Sequence, residues 1–148
     1  MLTSSMEDYL EKIYELMKEK GYARVSDIAS SLSVQPSSVT KMIQKLDEKQ
    51  LVTYEKYRGI VLTPKGEQLG KSMKQRHKRL EEFLRMLGVS EETIQRDVEG
   101  IEHHVSPSTM KALNNLVLFF DQNSHCLEEF NDFCQELEML KETEEERK

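Results

Sequence analysis

Pro36-Ser37-Ser38-Val39-Thr40-Lys41-Met42-Ile43-Gln44-Lys45-Leu46-Asp47-Glu48-Lys49 is the stretch on which the fold turns. Proline suits the first position of a helix, because the N–H it lacks would go unpaired there. Val39, Met42, Ile43 and Leu46 then recur at helical spacing on one face, and Ser37, Thr40, Lys41, Gln44 and Lys45 occupy the other. One apolar face for packing and one face of hydroxyl, amide and ammonium groups is what a helix needs to read the major groove of DNA. Alone, that polar face fits simple solvation as well. The flanking segments decide between the two.

Upstream, Met6, Leu10, Ile13, Tyr14 and Met17 recur at spacings of three and four, predicting an amphipathic helix over 5–20 that ends at Gly21. Ser26 to Leu32 reads as a short helix with Ser26 as N-cap, followed by the turn Ser33-Val34-Gln35. Downstream the period changes. Leu51 to Glu55 and Ile60 to Thr63 are β-branched or aromatic runs around Lys56-Tyr57-Arg58-Gly59, a two-stranded hairpin with a basic tip. Helix, short helix, turn, helix and basic hairpin is the order of a winged helix-turn-helix. In that reading Pro36, Ser37, Ser38, Thr40, Lys41, Gln44 and Lys45 face DNA, and Arg58 reaches its backbone or minor groove. Thr63-Pro64 then opens a long helix to about Leu87. Further helices start near Ser90, at Ser106-Pro107 and near Ser124, and residues 141–148 are expected to fray.

At 148 residues, 37% hydrophobic and 32% charged, the chain suits one helical domain or two small ones and excludes a large multidomain enzyme. No apolar run approaches the roughly 18 residues of a membrane span, and the first residues lack the order of a signal peptide, so a cytoplasmic protein with no membrane partner is expected. The net charge of -6 argues against nucleic acid only while it is averaged. Residues 1–80 carry 15 basic and 10 acidic side chains, residues 81–148 carry 6 and 17, and residues 35–80 alone are at +7. A basic module is joined to an acidic one. The two cysteines, Cys126 and Cys134, are eight apart in a helical segment, about 12 Å along its axis and beyond disulfide reach, and read as small hydrophobes.

The acidic half holds Glu99-Gly100-Ile101-Glu102-His103-His104, in which Glu99, Glu102 and His103 share one helical face. Asp8 and Glu11 share a face of the first helix. His77 ends the stripe Leu69, Met73, His77, which continues to Leu80 and Leu84, so it points to the packed side of the long helix. A solvated acidic face and a satisfied core histidine are one reading; a mixed nitrogen and oxygen metal site is the other. Four carboxylates gathered without metal would carry about -4, which two divalent ions would cancel, and hard donors without sulfur suit manganese or ferrous iron. Met110, Leu113, Leu116, Val117 and Phe120 form an apolar stripe serving either the chain's own core or a dimer.

Gly21 to Ala29, Pro36 to Met42, Tyr54 to Gly59 and Asp97 to His104 together resemble the diphtheria-toxin-repressor family, in its manganese-responsive branch, over residues 1 to about 120. The resemblance implies a homodimeric repressor of manganese-uptake genes that binds a palindromic DNA operator when loaded with two Mn(II) per subunit. It implies metal ligands at Asp8, Glu11, His77, Glu99, Glu102 and His103. The iron-responsive branch has sulfur ligands at the positions of Asp8 and Glu99, so the resemblance favours manganese. The expected architecture is mainly α: a winged helix-turn-helix with a small β-hairpin wing over residues 1–70, then an all-α dimerisation and metal-binding domain over 71–148. Neither enzymatic activity nor an organic ligand is expected. The competing classes are a winged-helix sensor of an organic ligand and a dimetal carboxylate enzyme, and stoichiometric manganese binding or an activity screen would separate them.

Overall fold

The computed structural model describes residues 2–55 and 57–148; Lys56, in the expected basic tip, lies outside them. The fold is mainly α, with one antiparallel hairpin among the described residues, and divides into two units, Met1–Arg76 and His77–Lys148.

In the first unit, α1 (Ser4–Lys20) is capped by Thr3, whose hydroxyl accepts from the Met6 N–H at 3.2 Å. It ends where Gly21 turns left-handed at φ 78° and returns its N–H to the Met17 carbonyl. The next helix, α2 (Val25–Leu32), corrects the expectation for Ser26. The cap is Arg24, whose carbonyl accepts from Ile28 at 3.1 Å without any side-chain cap, and Ser26 lies inside the first turn. Starting there brings Ile28 and Ala29 into the core, and their burial outweighs the loss of a serine cap. Ser33, left-handed at φ 55°, makes the tight turn into α3 (Pro36–Glu48), which begins at the proline as expected.

Leu10, Ile13, Ile28, Val39, Leu46, Leu51, Val52 and Ile60 form the centre of this unit's core, fully or almost fully buried. The wing is β1 (Val52–Glu55) paired with β2 (Gly59–Leu62), in register from Val52 opposite Leu62 to Glu55 opposite Gly59. Its base is stapled to the loop after α1. Ala23 N–H donates to the Ile60 carbonyl at 3.3 Å and the Ala23 carbonyl accepts from Ile60 N–H at 2.9 Å. Gly59, at φ 81°, makes room for this approach, since a Cβ there would meet the Ala23 carbonyl oxygen at 2.9 Å. Thr63 then caps α4 (Pro64–Met86), accepting from Gly66 N–H at 3.1 Å and donating its own proton to the Gln50 carbonyl at 2.7 Å.

The second unit starts within α4 and adds α5 (Glu91–Ile101), α6 (Pro107–Gln122) and α7 (Ser124–Glu146). Ser90 and Ser106 cap α5 and α6 by accepting from Thr93 and Thr109. Leu80, Ile94, Val98 and Met110 make its core, with Leu84, Val89, Val105 and Leu113 packed on them. The expected apolar stripe of α6 divides. Met110 and Val117 are buried, whereas Leu116, with its neighbours Leu118 and Phe119, is exposed.

The expected fraying of residues 141–148 is also corrected, because α7 continues to Glu146 although none of its residues is buried. Its last turns consist almost wholly of lysine, glutamate and leucine, which lose little rotamer freedom in a helix. Cys126 and Cys134 are free thiols, half-buried on α7. Among the described residues no helix is long and apolar enough to cross a membrane.

Candidate metal centre and nucleic-acid interface

Helix α5 ends at Ile101, and Glu102, still in helical conformation, returns its N–H to the Val98 carbonyl at 3.0 Å. Glu102 and His103 therefore occupy the closing turn rather than the helix interior, one step beyond the position expected from their spacing. Burial of Ile94 and Val98 drives the inner face of α5 into the core and carries Glu102 inward with it. Glu102 is the one buried charged residue among those described, at 4% exposure.

Burying a carboxylate is costly unless it is paired. Here its Oε2 lies 2.8 Å from Nδ1 of His77 on α4, and its Oε1 lies 3.5 Å from Nε2 of His103. Three of the expected ligands, from two segments far apart in sequence, thus meet in the second unit. Glu99 is exposed, one helical turn before Glu102. In the first unit, Asp8 and Glu11 stand one turn apart on α1, between residues whose neighbours Met6, Tyr9, Leu10 and Ile13 are buried. The core thus fixes the backbone that carries both carboxylates.

The donor set is nitrogen and oxygen only, and a sunken carboxylate flanked by imidazoles fits a divalent ion of intermediate hardness. His77 also has a partner that sequence reasoning missed. Its Nε2 lies 2.7 Å from Oε1 of Glu81, one turn further along α4. The i, i+4 spacing was the available signal, but the reading of His77 followed only the apolar stripe. Glu81 faces Arg85 at 3.8 Å, and Arg85 makes a two-pronged contact with Glu91 in the first turn of α5, its Nη2 donating at 3.1 Å. That contact holds the Glu91 carboxyl below the usual carboxylate range.

The polar face of α3 is open to solvent. Pro36, Ser37, Ser38, Thr40, Lys41, Gln44 and Lys45 lie on the outer side of the helix, at least partly exposed, while Val39 and Leu46 are buried behind them. The Thr40 hydroxyl donates to the Pro36 carbonyl at 3.1 Å, leaving its oxygen free to accept. Arg58 behaves differently. Exposed at the wing, its guanidinium donates to the Gly21 carbonyl at 3.3 Å and to Glu55 at 3.4 Å, tying the hairpin to the end of α1. Tyr54 and Tyr57, also on the wing, are among the most exposed large side chains, at 76% and 88%.

A winged helix-turn-helix followed by a helical unit with a buried carboxylate flanked by two imidazoles is the build of a DNA-binding regulator governed by a metal ion. The chain belongs to the iron-dependent repressor family: its N-terminal DNA-binding domain matches residues 1–60, and its metal-binding and dimerisation domain matches residues 63–131. The relatives include the HTH-type transcriptional regulator MntR of Geobacillus kaustophilus (strain HTA426), 59% identical over 132 residues, covering 89% of this chain and 94% of the relative. The regulator of the same name in Bacillus subtilis (strain 168) is 58% identical over 123 residues, 83% of this chain and 87% of the relative.

Among solved structures, the manganese regulator SloR superposes with a TM-score of 0.71 at 33% identity, over 80% of this chain and 55% of that one. The metal-dependent transcriptional regulator MtsR gives 0.74 at 28% identity, over 80% and 55%. The chain spans about half the length of these solved proteins. It is a transcriptional regulator and not an enzyme, with a DNA-binding and a metal-binding, dimerising part.

Proposed function

We propose that this chain is a manganese-activated repressor of manganese-uptake genes. On this reading it binds a palindromic operator as a homodimer in the cytoplasm. The observation that carries the proposal is Glu102, buried between the imidazoles of His77 and His103. Two Mn(II) per subunit would be held by Asp8, Glu11, His77, Glu99, Glu102 and His103, and would supply the positive charge that a four-carboxylate cluster needs.

The chain's own residues account for the switch. Asp8 and Glu11 ride on α1, whose buried face is continuous with the core behind α3, while the other four ligands belong to the second unit. Bringing all six donors to one cluster selects the arrangement in which the paired α3 helices of a dimer meet successive major grooves, about 34 Å apart. Exposed Leu116, Leu118 and Phe119 on α6, within the matched dimerisation domain, supply an apolar surface for the second subunit. The relatives' names and the solved manganese regulators support the choice of metal.

The test is a DNA-binding titration at fixed salt with manganese, ferrous iron and zinc in parallel, on the natural chain and on Asp8→Met. Manganese should tighten operator binding, and the substitution should erode the preference for manganese. Binding indifferent to manganese would sink the mechanism, and an unchanged preference in Asp8→Met would sink the proposed basis of selectivity.

A further inference from the structure

His77 meets a carboxylate at each ring nitrogen, Glu102 at Nδ1 and Glu81 at Nε2, at 2.8 and 2.7 Å. The two carboxylates are not equivalent. Glu102 is buried and also neighbours His103, so it belongs to the donor cluster. Glu81 sits at the opposite ring nitrogen and is tethered through Arg85 to Glu91 at the start of α5. A neutral imidazole has one N–H and one lone pair, and it can serve a metal only through the nitrogen that keeps the lone pair. A carboxylate that accepts the N–H at one nitrogen makes the other the better ligand, and it also stops the ring from rotating.

We propose that Glu81 is a positioning residue that accepts the Nε2–H of His77 and so fixes the tautomer in which Nδ1 faces the cation on the Glu102 side. The inference rests on the metal reading above and deepens it. Glu81 touches no metal in this scheme; it acts through the ring, and Arg85 and Glu91 hold it in place. Because Glu91 stands in the first turn of the helix whose last turn carries Glu99 and leads into Glu102, the same chain of contacts sets α4 against α5.

The experiment measures manganese affinity without DNA, from the EPR signal of free Mn(II), in Glu81→Ala, Glu81→Gln, Glu82→Gln and His77→Ala. In parallel, long-range 15N–1H spectra of the cadmium-loaded natural chain read which nitrogen of His77 binds. Glu81→Ala should weaken manganese binding about 10- to 100-fold. Glu81→Gln, whose amide carbonyl still accepts the N–H, should recover most of that loss. Glu82→Gln, at a residue paired with Arg79 rather than with the ring, should match the natural chain. Cadmium should bind Nδ1 and leave the proton on Nε2.

Full affinity in His77→Ala would overturn the metal reading itself. A loss in His77→Ala with none in Glu81→Ala, or cadmium on Nε2, would overturn the role of Glu81 alone. If Glu81→Ala fails to fold by circular dichroism, the Glu81→Gln affinity and the nitrogen assignment decide: affinity close to the natural chain with cadmium on Nδ1 supports the role, and cadmium on Nε2 overturns it.

Discussion

Gly70 on α4 packs so closely on Tyr14 of α1 that a Cβ at position 70 would stand 2.8 Å from the Tyr14 Cβ and 2.9 Å from the Leu10 carbonyl oxygen. Two helix backbones are in contact there, and neither atom is the end of a flexible side chain. Gly70→Ala should therefore destabilise the chain by about 1–3 kcal/mol through overpacking, outweighing the ~1 kcal/mol that alanine gains in helix propensity. Gly100, where an added Cβ would meet no atom within 4 Å, should respond oppositely, Gly100→Ala adding about 0.4–1 kcal/mol. Urea unfolding of both variants checks the pair; a Gly70→Ala chain as stable as the natural one would show that α4 can slide away from α1.

Operator binding should separate the basic residues by their salt dependence. Lys41 and Lys45 stand on the outer face of α3, and losing a phosphate contact from either should lower the slope of log affinity against log salt by about 1. Arg58 is engaged by Gly21 and Glu55, so Arg58→Ala should weaken binding while leaving that slope nearly unchanged. A slope change in Arg58→Ala as large as in Lys41→Ala would make Arg58 a backbone contact instead of a tie.

Metal removal should read out as stability. At a free manganese concentration about 100 times the dissociation constant, binding adds about 2.7 kcal/mol, so a chelator should lower the Tm measurably. In Glu102→Gln that increment should collapse. Retention of a natural-sized increment would remove Glu102 from the ligand set.

The contact between Arg85 and Glu91 predicts an acid-side effect. Arg85 depresses the Glu91 carboxyl in the folded state, so its contribution is complete above the ordinary carboxylate range and is lost as pH falls through the depressed value. Both groups are solvated, so the effect is small. Melting curves of the metal-free chain from about pH 6 to about pH 3 should show Glu91→Gln less stable at the upper end and converging with the natural chain at the lower. A constant offset would mean that the residue acts by something other than charge.

Much of this fold was legible because local and tertiary signals agree. Pro36 and the Val39, Met42, Ile43, Leu46 face announce α3 unaided, and Gly21 and Thr63-Pro64 mark real boundaries. Ser26 misled because a cap is worth about 1 kcal/mol, less than seating Ile28 and Ala29 in the core. The α6 stripe could not be apportioned between core and surface from spacing alone, since Met110 and Leu116 are both apolar but sit at different angles around the helix. In the candidate site, Glu102 and the two histidines were visible as a pattern. Glu81 was not, because one glutamate among 27 acidic residues acquires meaning only when the ring it faces is known. The tie from Arg58 to the Gly21 carbonyl was not legible, because the two residues lie 37 apart in sequence.

The staple between Ala23 and the wing, reinforced by Arg58 on Gly21, has a consequence for the nucleic acid. The hairpin base and α3 are fixed to a common core, so on the proposed reading, with α3 in the major groove, the span from that groove to the wing is set by the fold. A site whose grooves do not match that span must bend or change width to accept the protein, and the cost depends on base steps that no side chain touches. On that reading, part of the discrimination between operators would fall to the stiffness of the DNA rather than to the protein's contacts.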